Sequence, residues 1–225
     1  MAPRDTTARS GSATVIALAA LALLAAPLTA RAGAQVEEQL APSVALVLAR
    51  TVADVPVPAN YSAKPDVRSW LDQMSPRLAS RFPDLRERED LLATVHYEAI
   101  RAALDPQLVL AVIQYESAFR KYAVSSADAR GYMQVMPFWT KWVPGAVVND
   151  LFRLRVNLRY GCWIQKHYLD RENGDISRAL GRYNGSLGQP EYPNGVLATK
   201  DRHWTYSPSS PGTKLGAVTA SSLTR

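Results

Sequence analysis

One cysteine, three histidines and no long apolar span set the first limits on this chain of 225 residues. Cys162 alone cannot close an intrachain disulfide or build a thiolate metal cluster, and it reads as a small buried hydrophobe. His96, His167 and His203 stand at no recognised metal-ligand spacing, so no metal or other cofactor is expected. A GxSxG elbow and a phosphate-binding glycine loop are both missing, which removes most serine-hydrolase and NTPase readings. Strand-like alternation is scarce and no internal repeat is present. What remains is a mainly α chain.

The apolar run over residues 15–28 carries no charge and falls short of the roughly 20 apolar residues that a membrane span needs. It follows a basic start (Arg4, Arg9) and precedes the small-residue sites Ala30-Arg31-Ala32 and Ala32-Gly33-Ala34. That order is the pattern of an export signal over residues 1–34, with Gln35 first in the mature chain. No cysteine lies near the cleavage site, so a lipoprotein anchor is excluded and a periplasmic location is expected. The whole chain carries +6; losing residues 1–34, with three arginines and one aspartate, leaves +4. Scattered Lys and Arg read as a solvated surface, with an anionic partner from the cell wall or lipid head groups as the alternative. Nothing points to nucleic acid.

Along the chain, residues 36–50 read as a short helix and residues 51–60, with two prolines, as a linker. Trp70, Leu71, Met74, Leu78 and Phe82 recur at helical spacing, with a restart at Ser75-Pro76. A helix from Arg86 to Ala103 places Leu92, Val95, Ala99 and Ala103 on one face. Asp105-Pro106 starts the next helix as N-cap and first-turn proline. A later helix begins near Asn157 and ends at Asn173-Gly174, and Asp175 caps another. Residues 35–88 thus form a helical extension and linker, residues 89–205 a main domain, and residues 206–225, rich in Ser, Thr, Pro and Gly, a disordered tail.

The most informative group is Glu116. From Pro106 to Phe119 it is the only ionisable side chain besides Tyr115, in a run holding Leu108, Val109, Leu110, Ala111, Val112 and Ile113. A helix apolar on most faces is buried, and burial raises a carboxyl pKa. The competing reading is an i,i+4 ion pair with Arg120, which would lower it. The two predict opposite shifts.

Three further features follow in order: Ser117 directly after Glu116, then GYMQVMP at 131–137, then RYNGS at 182–186. Together they resemble the soluble SLT-type lytic transglycosylases of the lysozyme superfamily, over about residues 90–192. The family pattern is a Glu-Ser helix end, G-L-M-Q-x-M-P, and A-Y-N-A-G. The resemblance implies a lysozyme-like fold, mainly α with minor β, around a substrate groove. It implies cleavage of peptidoglycan strands between N-acetylmuramic acid and N-acetylglucosamine, leaving 1,6-anhydro ends. It assigns Glu116 as the sole acid/base and Ser117 as a hydroxyl that orients the Glu or the substrate. Gln134 becomes the amide near the scissile sugar, with Met133 lining the groove. Tyr183 becomes the phenol that bonds the catalytic Glu, with Asn184 beside it.

The residues carry their own reasons. Gly131 permits close backbone approach to a sugar, or is a plain turn glycine. Gln134 offers donor and acceptor to an N-acetyl group, or faces solvent. Tyr132, Asp128 and Gly185-Ser186 depart from the family pattern. A second carboxylate, Asp128 or Glu191, would serve a hydrolytic muramidase. A non-catalytic glycan-binding module is the other alternative. Trp139, Trp142, Tyr192 and Trp204 stack on sugars or, for most of them, pack the core. A monomer is expected; a partner in a secretion machine is left open.

Overall fold

The structure is a computed structural model, and it describes residues 35–52 and 56–208. The export signal over 1–34 and most of the tail, 209–225, lie outside the described residues. Among the described residues seven α-helices carry the fold: α1 (Pro42–Val52), α2 (Pro65–Met74), α3 (Leu85–Arg101), α4 (Pro106–Ser117), α5 (Leu154–Arg171), α6 (Ile176–Asn184) and α7 (Glu191–His203). Short 3-10 turns join them at Tyr61–Ala63, Ser75–Leu78, Pro137–Trp142 and Val148–Phe152. Among the described residues the only β pairing is two isolated bridges, Val124 with Arg130 and Arg130 with Val135. The protein is a mainly α-helical domain.

Helix starts follow local chemistry. Asp84, Asp105 and Asp175 each accept a backbone N–H from the first turn of α3, α4 and α6. The helix expected over 36–50 begins six residues later than read, at Pro42. Ala103, assigned to the buried face of α3, lies beyond its end with φ +53 and is exposed. The restart at Ser75-Pro76 is present as a 3-10 turn.

α4 runs through the core: Val109, Leu110, Ala111, Val112 and Ile113 are fully buried. It packs on α7, and α5 packs on α3 and α6. Residues upstream of α3 belong to the same core. Trp70 and Leu71 are buried, Trp70 Nε1 donates to Gln107 Oε1 at 3.1 Å, and Tyr61 Oη meets His96 Nδ1 at 2.8 Å. A buried ion pair ties α3 to α5, with Arg159 Nε at 2.9 Å from Glu98 Oε1. Gln35 is also buried, its Oε1 accepting from Trp139 Nε1 at 2.8 Å.

Candidate active site

Glu116 is the penultimate residue of α4 and only 5% exposed. The helix stops there because Ala118 and Phe119 both take left-handed φ, +50 and +61. Two consecutive non-glycine residues in that region cost roughly 1–2 kcal/mol each. Neighbours hold them: the Arg81 guanidinium donates to Ala118 O, and the Phe119 ring packs against Phe82 and Trp204 at 6.4 and 5.6 Å.

The Glu116 carboxyl has one polar neighbour. Tyr192 Oη, from α7, donates to Oε1, while Oε2 is buried and bonds no protein group. Burial pushes its pKa up to about 8, and the Tyr192 hydrogen bond opposes the rise. The negative end of α4 acts in the same direction as burial, since a carboxylate there meets the last carbonyls of the helix. No charged side chain contributes to the shift. Arg120 is not a partner; its Nε donates to Ser117 O at 3.0 Å. The ion-pair reading of Glu116 is therefore excluded.

The resemblance gave the bond to the Glu to Tyr183, and here the structure differs. Tyr183 Oη donates to Met133 O at 2.6 Å, and the Glu's partner is Tyr192. Both phenols are buried, and burial holds both well above the ordinary tyrosine range, with Glu116 adding to each. Tyr183 thus supports the loop beside the carboxyl. Tyr192 was weighed only among aromatics for sugar stacking or core packing. Its position is set by the edge-on contact with Tyr115 at 5.2 Å and by Gly195, where an added Cβ would sit 2.5 Å from the Tyr115 ring.

The GYMQ segment folds as a tight turn. Arg130 and Val135 exchange backbone hydrogen bonds of 2.9 and 3.0 Å, and Gln134 N donates to Gly131 O at 3.2 Å. Gly131 has φ +76, and an added Cβ would lie 2.4 Å from Asn157 Nδ2 and 2.5 Å from Leu151 O. The backbone here approaches this internal packing closely. Met133 is fully buried, and its Sδ occupies the space above Gly161, so it lies beneath the loop and lines no groove. Gln134 is buried with φ +49, and its Nε2 donates to Ala123 O and Gly131 O at 3.2 and 3.0 Å. Its amide N–H groups brace the loop. Ser117 Oγ donates back to Ile113 O at 3.1 Å, within its own helix. Asn184, at the end of α6, is buried.

Asn157 organises this loop and was read from sequence only as a helix start. It is fully buried; Oδ1 accepts Met133 N, and Nδ2 donates to Arg130 O and Leu151 O, all at 2.8 Å. An Asn in the first turn of a helix is common, so nothing in the sequence singled it out.

The remaining candidates lie apart from the carboxyl's contacts. Asp128 is exposed and paired with Arg130 at 3.1 Å, and Glu191 is exposed at the start of α7. Trp139 and Trp204 are core residues, and Trp142 is half-buried. Tyr122, in the loop after α4, is 71% exposed with the Phe152 ring 5.8 Å away.

A lone buried acid beside a loop braced by its own amides is the geometry against which known proteins can be set. Residues 94–195 match the model of the transglycosylase SLT domain. The segment belongs to that family. A transglycosylase of Enterobacteria phage PRD1 is 34% identical over 101 residues, 43% of this chain and 37% of the phage protein. Membrane-bound lytic murein transglycosylase C of Mannheimia succiniciproducens is 33% identical over 82 residues, 36% of this chain and 21% of that protein. This chain therefore spans well under half the length of either relative. An inactive mutant of lytic transglycosylase Slt from Pseudomonas aeruginosa superposes with a TM-score of 0.42 and 20% identity, over 74% of this chain and 34% of that one. The SLT match begins within α3 and ends within α7, so it takes in Glu116, the GYMQ turn, Tyr183 and Tyr192.

Proposed function

We propose that this chain is a peptidoglycan lytic transglycosylase that cuts the MurNAc-(β1,4)-GlcNAc bond without water. The observation that carries the reading is the Glu116 carboxyl: buried, bonded by the Tyr192 phenol, and pushed by burial to a pKa of about 8. Glu116 donates its proton to the glycosidic oxygen as the bond from the muramic acid C1 breaks. The neighbouring N-acetyl group stabilises the positive carbon. The Glu116 carboxylate then takes the proton of the same sugar's C6 hydroxyl, whose oxygen closes the 1,6-anhydro ring. Proton count balances, and the carboxyl is regenerated.

Tyr192 holds Oε1, which leaves Oε2 as the oxygen that exchanges the proton. Two-carboxylate hydrolysis needs a second acid at a fixed distance across the bond. Asp128 is committed to Arg130, and no carboxylate perturbs Glu116. General acid–base transfer supplies about 10²–10⁴-fold, and the groove must supply the rest through stabilising the oxocarbenium ion. Ser117, Gly131, Met133, Gln134 and Tyr183 hold the loop and helix end beside the carboxyl, and Gln134 Oε1 and Asn184 stand with them as the polar groups for the sugar. Export through residues 1–34 and action in the periplasm belong to the same reading.

Digesting sacculi and weighing the products tests it. Ends with the 1,6-anhydro mass, absent with Glu116→Gln, support transglycosylation. Reducing ends would mean hydrolysis, and no cleavage by the wild type would leave a binding module.

A further inference from the structure

A cleft of about 500 Å³ opens beside the C-terminal end of α4. Its floor is Leu78, Phe119 and Trp204, and Trp204 Nε1 is fixed by Gln114 Oε1 at 2.8 Å. Its rim carries Arg77, Arg81, Arg202 and His203, all exposed, and no acidic side chain lines it. None of the three arginines is within ion-pair distance of a carboxylate among the described residues. Backbone carbonyls orient two of them: Arg77 Nη1 donates to His203 O at 3.0 Å, and Arg81 donates to Ala118 O. A guanidinium has five donors, so both keep several for another acceptor. Arginines already held in place lose less entropy on binding a carboxylate than free ones.

The cleft's basic rim, at 77, 81, 202 and 203, lies outside the 94–195 SLT match, while Gln114 and Phe119 lie within it. Gln114 of α4 lines the cleft, two residues before Glu116, whose own carboxyl lies outside the lining. Arg81 grips the carbonyl of Ala118, whose Cα is at most about 7 Å from that of Glu116 along the chain.

We propose that this cleft binds a carboxylate-bearing peptide, the peptide stem of the glycan strand whose sugar bond Glu116 cuts. The inference rests on the function proposed above for its choice of peptide. The arginines take the stem carboxylates as bidentate partners, and the apolar floor takes alanine methyl groups.

The experiment uses the full exported chain carrying Glu116→Gln, so that ligand is held uncut. Three probes are titrated by calorimetry: the wall tetrapeptide alone, the peptide-free disaccharide, and muramyl tetrapeptide. The tetrapeptide alone is expected to bind, to weaken as salt is raised, and to lose about tenfold in Arg77→Gln/Arg202→Gln. Arg202→Gln alone, at an exposed helix end, is expected to give an intermediate loss. Arg86→Gln, exposed and outside the cleft, controls for net charge and is expected to bind as the parent does. No binding of the tetrapeptide, equal binding by the double variant, or equal loss in Arg86→Gln would overturn the proposal. So would polyphosphate binding as tightly as the peptide. Product analysis of sacculi is read separately: tetrapeptide binding without anhydro products would retain the cleft and refute the reaction.

Discussion

Replacing Glu116 by Gln should stabilise the protein, and by an amount that depends on pH. The folded-state pKa is about 8 against an ordinary value of 4.5. The folded state therefore binds the proton more tightly than the unfolded state does. Between those two values the native protein holds the proton and the unfolded chain does not, so stability falls as pH rises. The contribution is intact below about pH 4.5, declines through the window, and is level above pH 8. At about 1.4 kcal/mol per unit the total loss is about 5 kcal/mol, a large part of the 5–15 kcal/mol typical of a domain. Gln mimics the protonated acid: Tyr192 still donates to its carbonyl oxygen, and its NH2 group occupies the place of the buried Oε2. The variant should match the wild type near pH 4.5 and exceed it increasingly up to pH 8. Urea unfolding of both proteins across this range measures the difference. His96 and His167, whose pKa values burial lowers, titrate in both proteins and cancel. A difference that stays flat with pH, or a Glu116 that titrates at or below 4.5, would refute the burial argument and with it the neutral-pH acid.

Four other outcomes follow from the same geometry. If Glu116 is the acid, the rate should fall through about pH 8 as its carboxyl ionises, and Tyr192→Phe should move that limb to higher pH, because the phenol favours the carboxylate; pH–rate profiles of the two proteins decide it. Asn157→Ala removes two hydrogen bonds to the GYMQ turn, at Met133 N and Arg130 O, and one to Leu151 O, and should cost about 3 kcal/mol or more, with loss of activity, by denaturant unfolding and sacculus turbidity. Gly195→Ala drives a Cβ into the Tyr115 ring and should cost about 1–3 kcal/mol in the same unfolding assay. Glu98→Gln removes the charge that pairs with both Arg159 and Arg101 and should lower stability in thermal or denaturant unfolding.

The helices were legible because their signals are local. Asp105-Pro106 and Asp175 cap the helices they precede, and the Glu116 run is buried, as its composition requires. The raised pKa followed from that burial alone. What the sequence did not show were partnerships across distance. Tyr183 and Tyr192 are both buried tyrosines, and only the packing of α7 on α4 decides which phenol meets Glu116. Asn157 looks like any first-turn Asn until the loop folds over it. Gly131 and Gln134 each carry two readings, sugar or turn for the one and sugar or solvent for the other, because a motif names residues without saying which way they point. Their positive φ values and internal bonds turn them toward the protein.

That inward orientation changes how the motif works. A loop whose Gln134 Nε2, Met133 and Gly131 are engaged by Ala123, Gly161 and Asn157 is a rigid wall. Rigidity is what a lone acid needs. In the proposed reaction the same carboxyl gives a proton to one oxygen and takes it from another, so it has to stay within hydrogen-bond reach of both. The Tyr192 bond fixes one carboxyl oxygen, and the left-handed residues after Ser117 end the helix at that point. Exchanging Tyr192 for Phe should therefore lower the rate by more than its pKa effect explains. At a pH well below both pKa values, where each carboxyl is fully protonated, any remaining deficit measures positioning alone. Equal rates there would show that the phenol only tunes the proton affinity of Glu116.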